Sequence, residues 1–306
     1  MTSPTPFDMR DDYTELRRIW LQRYMRVQGR ADKKLKAALT VAAEDAYKSL
    51  ISEISKSTFS ARVKSAQIRI LLGVLKEIFN DLFAEELKII VAGNEQSAIA
   101  AVVAFAETDR DYLKAVFRNS GGRYEDFIAG QRKSAVLGVG NAVSRLNKSD
   151  QNLSQRVYHT RALANGWVKQ RVTAHIVRGS SAQEIATDIR KFVKPNVPGG
   201  VSYAAMRLGR TEINNAFHAT SIALAEDRPW VEGMRWRLSA THDDREDEAR
   251  IDKCDLYADQ IFTVSDVPVK PHPQCRCFVT PEVESLEVFA RHLTSGQYRS
   301  WIDEAA

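Results

Sequence analysis

The stretch that most constrains this chain is Pro271-His272-Pro273-Gln274-Cys275-Arg276-Cys277. Prolines on both sides of His272 exclude a helix there, and an imidazole and two thiols fall within six residues. The only other cysteine is Cys254, so every thiol lies in the last quarter of the sequence. A second histidine, His242, opens the polar run Asp243-Asp244-Arg245-Glu246-Asp247-Glu248. Thiolate and imidazole are good zinc ligands, and a structural site takes four of them in a tetrahedron. Five donors are on offer: Cys254, His272, Cys275 and Cys277, with His242 as an alternative. A structural Zn2+ is one expectation, and a metal-free set of small buried thiols is the other. The Cys275/Cys277 spacing leaves little room for one metal on a regular strand, so a turn or bulge is expected there.

Around this region the chain reads as mostly helical α+β. Leu35, Leu39, Ala42, Ala46 and Leu50 form one apolar stripe, following that of Tyr13, Leu16, Trp20, Tyr24 and Val27, with Gly29 between them. A second long helix carries Ile68, Leu71, Leu72, Leu75, Ile78, Phe79, Leu82 and Phe83. No unbroken apolar run approaches the ~18 residues that span a bilayer, so no membrane contact is expected. Ser120-Gly121-Gly122 reads as a break, and Arg123–Leu146 as a further helix. Past the polar Asn147-Lys148-Ser149-Asp150 the pattern changes. A helix ends at Gly179, Ser181-Ala182-Gln183-Glu184 reads as a capping box, and Ser202 reads as the cap of the next helix. Val231–Leu238, Ile261–Val264 and Cys277–Thr280 suit short strands, and Glu284–Leu293 a closing helix. The expected organisation is a helical region (1–150), a small α+β domain with a short β-sheet and the Cys/His cluster (151–283), and a C-terminal helix and tail (284–306).

Charge is uneven. Arg10–Lys36 carries nine Lys/Arg against four acids, and Asp243–Asp259 eight acids against three bases. Arg17, Arg18, Arg23, Arg26, Arg30, Lys33 and Lys34 therefore suit either a solvated helix face or contact with nucleic acid or an acidic partner. Glu212 falls on a helix face of small residues, where a carboxylate needs a partner. A catalytic reading makes it the general base of a metal-dependent hydrolase. A structural reading has Glu212 and Asn215 tie the helix to the polar loop. No nucleophile or second positioned carboxylate accompanies it, so no catalytic set is read. His159, His175 and His218 are isolated and expected in packing or surface roles. The absence of a leader at the N-terminus and the reduced, clustered cysteines suit a cytosol.

The order of the C-terminal features resembles the MuF-like phage minor head (head morphogenesis) proteins. A helix bears Arg210-Thr211-Glu212-x-x-Asn215, and Trp236 follows on a strand. Next come Ser239-Ala240-Thr241-His242-Asp243-x-Arg245 and Cys254-Asp255, then His272-Pro273-x-Cys275-x-Cys277. The resemblance covers about Gln151 to Glu282. It departs from the family pattern where many members carry Cys-x-x-Cys and this chain has Cys254 alone. It implies a non-enzymatic minor capsid protein of the virion, in the head interior or at the portal vertex, assembled in the bacterial host cytoplasm. The implied partners are the portal protein, scaffolding or major capsid protein, and packaged DNA. The implied roles are procapsid assembly, DNA packaging or DNA delivery.

Overall fold

The computed structural model describes residues 9–55, 65–116, 153–178, 180–195, 200–239, 242 and 251–305. It is mostly helical with one small antiparallel sheet, the expected α+β class. The elements run α1 (Met9–Ser55), α2 (Ser65–Val116), α3 (Leu153–Arg178), α4 (Ala182–Val193), α5 (Val201–Glu226) and β1 (Val231–Arg237). Then come α6 (Lys253–Tyr257), β2 (Ile261–Phe262), β3 (Phe278–Val283), α7 (Leu286–Ser295) and α8 (Arg299–Ala305). The expected break at Ser120–Gly122 and helix at Arg123–Leu146 lie outside the described residues.

Two compact units share these elements. A helical unit takes Gln28–Gly93 and Ser149–Glu212, and a mixed unit takes Met1–Val27, Asn94–Lys148 and Ile213–Ala306. This is a different partition from the consecutive domains read from the sequence, because α1, α2 and α5 each contribute to both units.

In the helical unit the stripe Leu35, Leu39, Ala42, Ala46 and Leu50 is buried throughout, as are Leu71, Leu75, Phe79, Leu82 and Phe83 of α2. Gly29 does not interrupt α1, contrary to the sequence reading. An interior glycine costs about 1 kcal/mol relative to alanine, which a helix this long and this well packed absorbs. Gly209 allows a close approach: a Cβ there would lie 3.2 Å from Leu35 Cδ2, which would have to shift by a few tenths of an ångström to admit it. The capping box of α4 forms as read, with Ser181 Oγ accepting from Glu184 N and Glu184 Oε2 accepting from Ser181 N at 2.6 Å. Ile185, Ala186, Ile189, Phe192 and Val193 then bury one face of α4. Ser202, read as a cap, instead donates from Oγ to Lys194 O at 2.6 Å, because α5 already begins at Val201.

By length and composition, Arg69–Glu107 within α2 is apolar enough to cross a membrane. Counting unbroken apolar runs missed this, since its apolarity is an average over interspersed polar residues. Asn94, Glu95, Gln96 and Ser97 stand inside it, and a polar quartet of this kind is costly in hydrocarbon. The segment is also partly buried within the protein, as a core helix would be.

The sheet of the mixed unit has order β2-β1-β3. Met234 and Trp236 of β1 point inward with period two, while Arg235 and Arg237 reach Glu282 and Asp259, both at 2.6 Å. Pro281 sits in β3, an edge strand, where its missing N–H is tolerated. Gly233 lets β2 approach closely: a Cβ there would lie 2.8 Å from Phe262 O. Trp230 centres the apolar core, edge-on to Phe289, Tyr298 and Trp301. Trp301 also ties α8 down by donating from its indole to Asp227 O at 2.6 Å.

Candidate metal centre

Three short pieces of the mixed unit converge behind β1: His242, the start of α6, and the approach to β3. Asp252 caps α6, its Oδ1 accepting from Cys254 N at 2.7 Å, and Asp255 Oδ2 accepts in return from Asp252 N at 2.8 Å. This capping box fixes Cys254 in the first turn, fully buried. On the other side, Pro271 and Pro273 hold the chain out of helix. Gln274 adopts a left-handed φ of 60° and Cys275 N donates to His272 O at 3.3 Å, so the chain reverses there. His272 and Cys275 therefore face the same way. Cys275 and Cys277 lie in the segment before β3 begins, and both are buried. This is the local irregularity that their spacing requires.

Cys254 is the hub. Its Sγ lies 3.4 Å from His272 Nε2 and 3.4 Å from Cys275 Sγ. These three donor atoms all lie within 4.8 Å of one another and could hold a metal ion. Zinc–sulfur and zinc–nitrogen bonds of ~2.3 and ~2.05 Å give tetrahedral edges of about 3.6 Å for S···N and about 3.8 Å for S···S, so the two edges that Cys254 makes are near ligand spacing. His272 is oriented to ligate through Nε2. Its Nδ1–H donates to Pro273 O at 3.1 Å, which leaves the Nε2 lone pair towards Cys254. Cys277 is within hydrogen-bonding reach of both Cys254 and Cys275.

Titration in this cluster is shared. Hydrogen bonds from Cys254 and Cys277, then the charge of Lys270, pull the Cys275 thiol well below its usual range. Cys254, bonded to that same thiolate and to Cys277, is pushed up. Lys270 sits 5.5 Å from the Trp236 ring centroid. Burial lowers its pKa against the raising influence of the three thiols.

The remaining predicted residues separate from this centre. Trp236 is buried in the sheet, edge-on to His218 and Tyr257. Arg210 makes a bidentate pair with Asp32, with Nη2 2.8 Å from Oδ2. Thr211 Oγ1 donates to Arg207 O at 2.7 Å. Buried Glu212 accepts from Arg156 Nη2 at 2.6 Å, so its carboxylate is held in an ion pair within the helical unit. Asn215 is only half-buried. Its neighbour Asn214, passed over in the sequence, is buried and accepts from Tyr24 OH at 2.8 Å. Arg26, Arg30, Lys33 and Lys34 are exposed along α1. The side chains of Arg17, Arg18 and Arg23, and all of Asp243 and Arg245, lie outside the described residues. A groove of 710 Å3 in the helical unit, lined by Val41, Ala42, Leu82 and Ile89 among others, holds none of the metal donors.

Sequence reasoning did not read Asp252 and Asp255 as a helix cap, although Asp-x-x-Asp before a short helix is a capping signal. It also missed Lys270, and of the two roles left open for His218, packing or surface, the structure shows packing. His218 is buried. Its Nε2–H donates to Pro268 O at 2.9 Å, and burial, with Lys270 nearby, lowers its pKa to about 3. No family model, curated protein or solved structure matches the chain.

Proposed function

We propose that this chain is a minor head (head morphogenesis) protein of a tailed bacteriophage, whose C-terminal module is closed by a structural Zn2+ on Cys254, His272, Cys275 and Cys277. The observation that carries the reading is the convergence of Cys254 with His272 and Cys275 at 3.4 Å spacings. It brings the His-Pro-x-Cys ending, the most specific part of the MuF-like pattern, against Cys254, the point at which this chain departs from that pattern. Buried thiols with an orienting carbonyl on the histidine suit a closed structural site. When bound, zinc would cross-link the start of α6 to the loop that leads into β3. The exposed basic residues of α1 suit a partner of opposite charge, such as an acidic portal surface or packaged DNA.

Two measurements test this. Elemental analysis of the purified protein is expected to give about one zinc per chain, lost in Cys275→Ser; a protein with no zinc sinks the metal assignment. Co-purification with the portal protein and with virions tests the role. A chain that is absent from particles and procapsids and binds no portal is not a minor head protein.

A further inference from the structure

His242 is the fifth donor of the cluster, and its surroundings distinguish it from the other four. Its Nε2–H donates to Asp255 Oδ1 at 2.6 Å, and its Nδ1 lies 3.6 Å from Cys277 Sγ. The ring is pinned. Its side chain is 8% exposed, and His242 N donates to Ser239 O at 2.9 Å. Asp255 is itself held by the backbone N–H of Asp252. Contact with Cys277 alone is the decisive feature. Neither Cys277 nor His242 completes the group formed by Cys254, His272 and Cys275, but Cys277 is within hydrogen-bonding reach of both Cys254 and Cys275, whereas His242 meets the cluster through the Cys277 sulfur.

We infer that His242 is not a ligand but a positioning residue, whose imidazole, oriented by Asp255, holds the Cys277 sulfur in place as the fourth ligand of the zinc. This rests on the zinc reading above and selects between the two ligand sets that the sequence leaves open. With Nε2 anchored on Asp255 and Nδ1 3.6 Å from Cys277 Sγ, the ring fixes where that sulfur sits. The arrangement resembles the carboxylate–histidine pairs that orient metal ligands, here acting one step further out. The same contacts commit the second cluster, His242 with Asp252 and Asp255. The Oδ1 of Asp252 caps Cys254 N and its Oδ2 lies 3.5 Å from His272 Nε2, while both oxygens of Asp255 are used, by Asp252 N and by His242. That cluster therefore supports the first site and does not form a second one.

The test uses the full chain loaded with Co2+ and then with Zn2+. In the wild type, cobalt absorption should show tetrahedral d–d bands with charge transfer from three thiolates. His242→Ala should keep about one metal per chain and the same band pattern, with metal affinity lowered some 10- to 100-fold. Asp255→Asn should fall in the same direction, and His242→Gln, which keeps an N–H donor, should recover most of the loss. Cys277→Ser should lose about a third of the charge-transfer intensity, in proportion to the thiolates removed. His272→Ala should alter the d–d envelope, as loss of a true ligand must. If His242→Ala changes that envelope as His272→Ala does, or leaves the affinity unchanged, the inference fails and the zinc reading stands. Two metals per chain in the wild type would also overturn it, by giving the Asp252/Asp255 cluster its own ion. A wild type that binds neither metal removes both readings.

Discussion

Glu86 of α2 is fully buried, and among the described residues neither of its oxygens has a hydrogen-bond partner. Burial alone raises its pKa to about 8 from an ordinary value of 4.5. The buried group is thus protonated at neutral pH, while the same residue in the unfolded chain is ionised. A folded pKa above the unfolded one means stability that is complete below pH 4.5 and lost as pH rises towards 8. The slope approaches about 1.36 kcal/mol per pH unit, and between pH 5 and pH 8 the loss comes to roughly 3.5 kcal/mol. Glu86→Leu removes the titrating group and adds apolar surface next to Leu82 and Ile90, its neighbours one turn away. We expect the variant to gain on the wild type by that amount as pH rises from 5 to 8. Hydrogen-exchange mass spectrometry on peptides spanning 78–92, corrected for intrinsic exchange at each pH, reads the difference. Taking the difference between variant and wild type cancels groups that titrate alike in both. A free-energy difference that stays flat across this range would show that Glu86 is ionised in place or solvated, and would refute the link between its burial and stability.

His218 should act in the opposite direction in the mixed unit. Its folded pKa lies near 3 against 6.5 unfolded, so stability is lost as pH falls below 6.5, by roughly 2 kcal/mol at pH 5. His218→Gln, which retains a donor for Pro268 O, should remove that acid sensitivity in urea titrations at pH 5 and pH 7. Arg228 and Asp109 form a fully buried ion pair at 2.6 Å, with Arg228 also 4.6 Å from the Phe105 ring centroid. Arg228→Met should destabilise by about 3–5 kcal/mol because it leaves a buried carboxylate unpaired, whereas Arg228→Met with Asp109→Leu should recover most of it. Equal losses in the single and double variants would place the stabilisation in packing rather than in the pair.

What is legible in the sequence is local. The α1 stripe, the Ser181–Glu184 capping box and the alternation of β1 each depend on neighbours within about one turn or two strand positions, and each forms as read. Ser202 is misread because a serine at a helix start has two uses, and the choice depends on a carbonyl eight residues back. Glu212 is recognisable as a buried carboxylate needing a partner. That partner, Arg156, is 56 residues away and on another helix. Glu86 and His218 are unremarkable as letters, since only tertiary packing decides which of many Glu and His residues lose their water. In the candidate metal centre the five donors are readable as a set. The division into ligands and support proposed for them is not, because it turns on which ring nitrogen faces a sulfur and which a carboxylate.

The position of the cluster explains why a protein this helical should need it. The long helices bury continuous stripes and stabilise themselves by packing. The segment from Lys253 to Cys277 has no such resource: it contains one five-residue helix, a two-residue strand and a single 3-10 turn. Ordering each residue of such a segment costs about 1–2 kcal/mol of backbone entropy, and few apolar groups here offset it. Ile261, Leu256 and Val269 are exposed, while Cys254, Cys275 and Cys277 are buried. The thiols thus occupy the places that large apolar side chains fill elsewhere in the chain. As a metal-free core they are small and weakly cohesive. As ligands, with His272 and its neighbours already oriented, they would join both ends of the segment to one centre, since metal binding to a site that folding creates adds directly to folding free energy. The sheet they close is correspondingly minimal, and β1 carries it by pairing with strands that enter and leave the clasp.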